Sequence, residues 1–135
     1  MRTIKFRGKS RDGKEWLYGD LVSSADKKRF AILVNSKESY DECEVIPKTV
    51  GQFTGLYDCN GKEIYEGDIV EWEKDGLMYV VKFWAGMFYA SVKECNDGIF
   101  GGFPLHALTE HEDRKCKIVG NSYNNPELLK GGENE

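Results

Sequence analysis

The sequence predicts an all-β fold with minor α content, built from antiparallel hairpins. Apolar and polar residues alternate in several short runs, as they do in strands that bury one face. Turn dipeptides separate these runs, namely Asp12-Gly13, Asn60-Gly61, Asp75-Gly76 and Ala85-Gly86. Because glycine accepts a positive φ without a steric clash, each dipeptide favours a tight reversal between two strands.

The N-terminal part predicts one hairpin and a third strand. Residues 3–7 alternate apolar with polar, Gly8 ends the strand, and residues 15–22 return as its antiparallel partner. Residues 29–34 are apolar at both parities, which indicates a strand covered on both faces. Residues 35–42 are polar and are expected to form a connection without regular structure.

The plainest strand pattern covers residues 68–92. Apolar residues of one parity recur in three successive runs: Val70 and Trp72, then Tyr79, Val81 and Phe83, then Phe88, Ala90 and Val92. This pattern predicts a three-stranded meander, and we expect it to form most of a partly open SH3-like barrel that the terminal strands close. The last of these strands, residues 117–120, is expected to pair with an early strand.

The length of 135 residues favours a single domain, because a chain of this size buries about two-thirds of its unfolded surface. We assign residues 1–129 to that domain, with a short C-terminal cap formed by Leu128 and Leu129. Residues 130–135 are polar and rich in glycine, so we expect a disordered tail.

Residues 50–70 hold the densest set of glycines and aromatic rings in the chain. The segments that stand out are Gln52-Phe53-Thr54-Gly55-Leu56, Asn60-Gly61-Lys62-Glu63-Ile64-Tyr65 and Glu66-Gly67-Asp68-Ile69-Val70. Together they resemble the central signature of the YopX-like family of bacteriophage and prophage proteins. Residues 4–8 and 118–129 agree with the same family, so the resemblance covers almost the whole chain. The sequence departs from it at Ser122, where an apolar residue is commoner, and at Cys59, where a charged one is.

The resemblance implies an accessory protein of a bacteriophage or prophage. It brings no catalytic or cofactor-binding residues, so a function has to be inferred from the side chains themselves.

Composition points to a soluble protein of a cytoplasm, and the resemblance implies that this is the cytoplasm of a bacterial host. The four cysteines, Cys43, Cys59, Cys95 and Cys116, form no Cys-x-x-Cys pair, and no apolar leader precedes them. We therefore expect reduced thiols. No apolar run approaches the roughly 18 residues that a membrane span requires, so we expect no membrane partner.

The acidic residues Asp58, Glu63, Glu66 and Asp68 raise the question of a metal site, because hard cations bind converging carboxylates. Turn chemistry explains the aspartates better. Asp58 precedes Asn60-Gly61, as in an Asx turn, and Asp68 follows Gly67, where its carboxylate can cap backbone donors. We favour this interpretation and predict neither a metal nor another cofactor.

Catalysis would most plainly involve the two histidines, His106 and His111, because imidazole is the commonest general acid or base in enzymes. A catalytic histidine needs an orienting partner and a pocket, and the sequence indicates neither. We therefore predict that the protein is not an enzyme.

Aromatic residues give the strongest functional signal. Trp84 and Tyr89 occupy the alternate positions of their strands, on the face opposite the predicted core residues, and Met87 lies between them in the sequence. Exposed clusters of this kind are typical of interface centres, so we predict self-association or a protein partner at Trp84, Met87 and Tyr89. One alternative is burial of these rings by residues 100–108 of the same chain. The other is stacking of single-stranded nucleic acid, which the net charge of −4 disfavours.

Overall fold

The computed structural model describes residues 1–35, 37–92, 102–110 and 115–130. Strands dominate these residues and the helices are short, which confirms the prediction of an all-β fold with minor α content. The chain divides into two compact units, Met1–Gly55 and Leu56–Glu135. The assignment of residues 1–129 to one domain stays a prediction, and residues 131–135 of the predicted tail lie outside the described residues.

The N-terminal unit contains four complete strands and the start of a fifth. They are β1 (Phe6–Lys9), β2 (Trp16–Ser23), β3 (Phe30–Asn35), β4 (Tyr40–Val45) and β5 (Gly51–Tyr57), with a 3-10 helix at Pro47–Thr49 before β5. The strands pair antiparallel in the order β4-β3-β2-β1-β5. Ala31, Ile32 and Val45 are among its buried residues.

The first hairpin forms where the sequence predicts it. Gly13 has a φ of 73°, and its N–H donates to the Ser10 carbonyl at 2.7 Å. The Ser10 N–H in turn donates to the Glu15 carbonyl at 2.9 Å, which closes the reversal between β1 and β2. Local turn chemistry therefore sets the register of this strand pair.

Two boundaries in this unit differ from the predictions. Strand β4 begins at Tyr40, inside the predicted polar connection, because pairing with β3 orders a strand whose side chains stay largely in solvent. Strand β1 continues through Gly8, which was expected to end it. A Cβ at Gly8 would lie 2.9 Å from the Val45 Cβ, so glycine here permits a close approach between strands.

The C-terminal unit carries the remaining elements. They are β6 (Glu63–Tyr65), β7 (Asp68–Trp72), β8 (Met78–Trp84), β9 (Met87–Ser91), β10 (Gly102–Pro104), α1 (His106–Thr109), β11 (Cys116–Asn121) and α2 (Glu127–Lys130). Strands β7, β8 and β9 form the predicted antiparallel meander. None of the helices in the described residues has the length and apolar composition needed to cross a membrane.

The second sheet is open, with the order β10-β9-β8-β7-β11. Strand β11 pairs antiparallel with β7, the first strand of the meander, and not with an early strand as expected. The buried core of this unit consists of Ile64, Val70, Trp72, Tyr79, Val81, Ala90, Leu105, Leu108 and Cys116. The short cap is present as α2, in which Leu128 and Leu129 are half-buried. Closure into an SH3-like barrel stays a prediction.

Gly19 offers a direct test of the pairing between β2 and β3. A Cβ at this position would lie 2.1 Å from the Leu33 carbonyl oxygen, a backbone atom that cannot move without breaking the strand pair. We expect Gly19→Ala to lower the free energy of unfolding by about 1–3 kcal/mol, measured by urea denaturation.

The control is Gly13→Asn, because the space around Gly13 is open and asparagine tolerates its positive φ. Equal stability of the two variants would contradict the close contact at Gly19.

Candidate interaction surface

The β8–β9 hairpin places the predicted interaction residues around a two-residue turn. Ala85 and Gly86 have φ values of 52° and 83°, and positive φ at both positions is the mark of a type I′ turn. The register pairs Trp84 with Met87, Phe83 with Phe88 and Lys82 with Tyr89. Because this turn type matches the twist of the strands, the hairpin keeps its pairing up to its end.

Trp84, Met87 and Tyr89 share one face of this hairpin. Trp84 is 47% exposed and Met87 is 36% exposed, while Tyr89 is half-buried. The Trp84 and Tyr89 rings meet edge to face, with centroids 5.8 Å apart and an interplanar angle of 67°. The three predicted residues therefore lie together, as diagonal and direct neighbours across two paired strands.

Phe83 belongs to the same end of the hairpin, which the sequence analysis missed. Alternation grouped it with the core residues Tyr79 and Val81, yet Phe83 is 53% exposed. The core ends at Val81, and Phe83 lies two residues nearer the turn, where it meets Phe88 edge to face at 5.0 Å. Proximity to the turn dipeptide was the signal in the sequence. We call Phe83, Trp84, Met87, Phe88 and Tyr89 the hairpin tip.

In its described part, the segment expected to cover this surface forms β10 beside β9, where Pro104 pairs with the half-buried Tyr89. Phe103 in β10 contacts the rings of Trp72 and Tyr79, with centroids 5.4 and 6.1 Å away. The Leu105 N–H donates to the Phe88 carbonyl at 3.0 Å, so this segment follows the backbone of β9. Trp84 keeps its exposure beside it. Residues 100 and 101 lie outside the described residues.

Asp58 binds backbone donors and leaves no oxygen free of protein contacts. The residue is 6% exposed, and its Oδ1 accepts from the N–H groups of Asn60 at 2.8 Å and Lys62 at 2.9 Å. Its Oδ2 accepts from the Ile118 N–H of β11 at 3.0 Å. The predicted Asx turn is confirmed. The additional bond to β11 was not predicted, because it joins residues far apart in the sequence.

The other acidic residues also have local roles. The buried Asp68 accepts from the Tyr65 N–H at 2.7 Å across Gly67, whose φ is 95°, so the predicted capping is confirmed. Glu63 accepts from the Tyr65 hydroxyl at 3.1 Å. Within the described ranges, no group of three or more His, Cys, Asp or Glu side chains has a geometry that could hold a metal ion.

The histidines and cysteines are the side chains of this chain whose chemistry most often serves catalysis. His106 is exposed at the start of α1, and His111 lies outside the described residues, as does Cys95. Cys43, Cys59 and Cys116 are free thiols. Burial, with the nearby Asp58 and Cys59, raises the pKa of the Cys116 thiol to about 12. Cys116 is therefore protonated and poorly nucleophilic at neutral pH.

Replacement of Asp58 tests its structural role. Asp58→Ala removes the acceptor of three backbone N–H groups. Asn60 and Lys62 are exposed, so water can reach their N–H groups, whereas Ile118 in β11 is half-buried. A buried donor left unpaired costs about 1–3 kcal/mol. We expect the free energy of unfolding to fall by about 1–3 kcal/mol, measured by urea denaturation.

Asp12→Ala is the matched control, because Asp12 accepts the Lys14 N–H at 2.9 Å in a similar turn that is exposed. Water can replace that carboxylate, so we expect a much smaller loss. A similar loss in both variants would contradict the structural role of the buried contacts.

The comparison with solved structures supports the fold. The chain is similar to protein EF1440 from Enterococcus faecalis, known from a crystal structure, with 23% sequence identity and a TM-score of 0.54 over 96% of this chain and 99% of that chain. At this level of identity, the likeness shows the fold alone. No curated protein matches the chain. The family model described as YopX protein matches residues 5–130, and the chain therefore belongs to the YopX protein family.

Proposed function

We propose that this protein is a non-catalytic interaction module of a bacteriophage or prophage that acts in the cytoplasm of the bacterial host. It associates with itself or with a protein partner through the hairpin tip. The observation that carries this proposal is the exposure of three large apolar side chains at one end of the β8–β9 hairpin. Phe83 is 53% exposed, Trp84 47% and Met87 36%.

The chemistry of the hairpin tip suits a protein interface. Aromatic residues and methionine are enriched in such interfaces, and tryptophan is among the residues that most often dominate binding energy. The paired strands and the edge-to-face contacts of Trp84 with Tyr89 and of Phe83 with Phe88 hold the rings in place before binding. Less conformational entropy is then lost on association.

Light scattering at micromolar concentration tests self-association. We expect the wild-type protein to have a mass above that of a single chain, and Trp84→Ala to return it to the mass of one chain with an unchanged circular-dichroism spectrum. The expected loss from one central tryptophan is at least about 2 kcal/mol of association energy, or roughly 30-fold in Kd.

Leu77→Ala is the control, because Leu77 is 49% exposed and lies outside the hairpin tip. It should keep the mass of the wild type. A wild-type mass equal to one chain would contradict self-association, and equal effects of both substitutions would contradict the hairpin tip as the surface.

A second candidate function is binding of single-stranded nucleic acid, which one feature of the N-terminal unit favours. Lys5, just before β1, and Arg7 and Lys9 within β1 occupy alternate positions and lie over aromatic rings. The Lys5 Nζ is 5.5 Å from the Phe53 ring centroid, and the Arg7 Cζ and Lys9 Nζ are 4.6 and 5.0 Å from the Trp16 centroid. Basic side chains beside rings are typical of platforms for single strands. Arg7 and Phe53 are buried, however, so little of this row is accessible.

A mobility-shift assay with a single-stranded oligonucleotide at two salt concentrations separates the two functions. A surface that makes three phosphate contacts would lose affinity about 20-fold between 50 and 200 mM salt. We expect no shift at either concentration. Two results together would favour nucleic acid instead. The affinity of the complex would fall steeply with salt, and Lys9→Gln would lower it more than Lys14→Gln, a substitution in the exposed turn.

A further inference from the structure

Within the described ranges, no strand pairs with the outer edge of β4 along part of its length. β4 is the last strand in the order β4-β3-β2-β1-β5 of the N-terminal unit. Among the described residues, the pairing on its outer side is a single antiparallel bridge between Val45 and Ser10. An open strand edge presents unpaired N–H and C=O groups that a further strand can bind.

The register shows which residues of β4 direct their backbone groups outwards. The Ser24 N–H donates to the Arg29 carbonyl at 2.9 Å just beyond the paired residues of β2 and β3. From that point, hydrogen-bonded pairs alternate with non-hydrogen-bonded pairs along the two strands. Phe30, Ile32 and Val34 consequently direct their backbone groups towards β4, where their partners are Val45, Cys43 and Asp41. The intervening residues Tyr40, Glu42 and Glu44 then have outward-facing N–H and C=O groups.

The end of this edge at Glu44 and Val45 already binds a basic extended segment of the same chain. The Ile46 N–H donates to the Lys9 carbonyl at 2.9 Å, and Ser10 forms the bridge to Val45. The Arg11 Nη1 then contacts the Glu44 Oε2 at 2.8 Å. Residues 9–11 thus show the kind of partner that fits: an extended backbone carrying cationic side chains.

The other end of the edge, at Tyr40 and Glu42, offers the same chemistry, and residues 9–11 do not extend to it. Tyr40 is 63% exposed, and Glu42 is exposed on the same face of the strand. A groove of about 350 Å³ borders this face and is lined by Val22, Ser23, Arg29, Ala31, Glu42 and Glu44, among others. Carboxylates attract cations, and the face of a tyrosine ring binds them as well, so Tyr40 and Glu42 together favour basic side chains.

We propose that the β4 edge at Tyr40–Glu44 binds an extended, basic peptide segment of a protein partner by strand addition. Backbone hydrogen bonds to Tyr40 and Glu42 give the affinity. Alternate lysine or arginine side chains of the partner contact Tyr40 and Glu42 on one face, as Arg11 contacts Glu44. This surface shares no residue with the hairpin tip, so either proposal can fail alone.

Fluorescence anisotropy with a labelled peptide of about eight residues, alternating lysine and valine, tests the proposal on the full chain. We expect binding to the wild type and at least a tenfold loss with Glu42→Lys. Asp41→Lys, on the opposite face of the same strand, is the matched control and should change Kd little. Trp84→Ala should leave peptide binding unchanged, since the hairpin tip is not involved.

Two further measurements test strand addition itself. Methylation of alternate backbone nitrogens of the peptide should abolish binding, because it removes the donors that reach β4. Amide exchange measured by NMR should slow at Tyr40 and Glu42 when peptide is added, while Asp41 and Cys43, already bonded to β3, stay unchanged. The proposal is overturned if the wild type binds no lysine peptide, if it binds an alternating glutamate and valine peptide equally well, or if methylation has no effect.

Discussion

The buried carboxylate of Asp58 is the contact on which the C-terminal unit depends. One side chain accepts from Asn60 and Lys62 in the turn and from Ile118 in β11, and the Cys59 N–H adds a bond to the Cys116 carbonyl at 2.9 Å. A turn and a distant strand are thereby joined through one residue. Because three donors share a single buried acceptor, losing it removes the partner of all three at once.

Strand pairing links β11 to the hairpin tip. β11 pairs with β7, β7 with β8, and β8 with β9. Gly67 holds the start of β7 in place through two hydrogen bonds. Its N–H donates to the Val81 carbonyl, and its carbonyl accepts from the Ser122 N–H, both at 2.8 Å. Val81 and Ala90 are the last buried residues of the two hairpin strands on the core side of the turn. Beyond them the hairpin is stabilised by its own strand pairing, by its ring contacts and by the pairing of β9 with β10, which reaches Tyr89.

Local chemistry made much of this fold predictable. The turns at Asp12-Gly13, Asn60-Gly61 and Ala85-Gly86 depend on residues within a few positions of each other, and all three form as expected. The same holds for the carboxylate caps at Asp58 and Asp68 and for the placement of Trp84 beside Tyr89.

The features that escaped prediction depend on partners distant in sequence. The bond from Asp58 to Ile118 spans most of the C-terminal unit, and no pattern near either residue indicates it. Strand β4 starts at Tyr40 because β3 lies beside it, although its own residues read as a polar connection. The exposure of Phe83 depends on where the core ends, which alternation alone does not show.

The distribution of charge favours protein over nucleic acid as a partner for either surface. The hairpin tip offers rings and a methionine thioether, and the β4 edge carries Glu42 and Glu44, which repel phosphate. The basic row of β1 lies over the rings of Trp16 and Phe53, and Arg7 within it is buried. Counterion release from phosphates, which supplies most of the sequence-independent affinity for nucleic acid, needs accessible cations. The hairpin tip is largely apolar and the β4 edge carries Glu42 and Glu44, so we expect these proposed surfaces to favour apolar and basic protein segments.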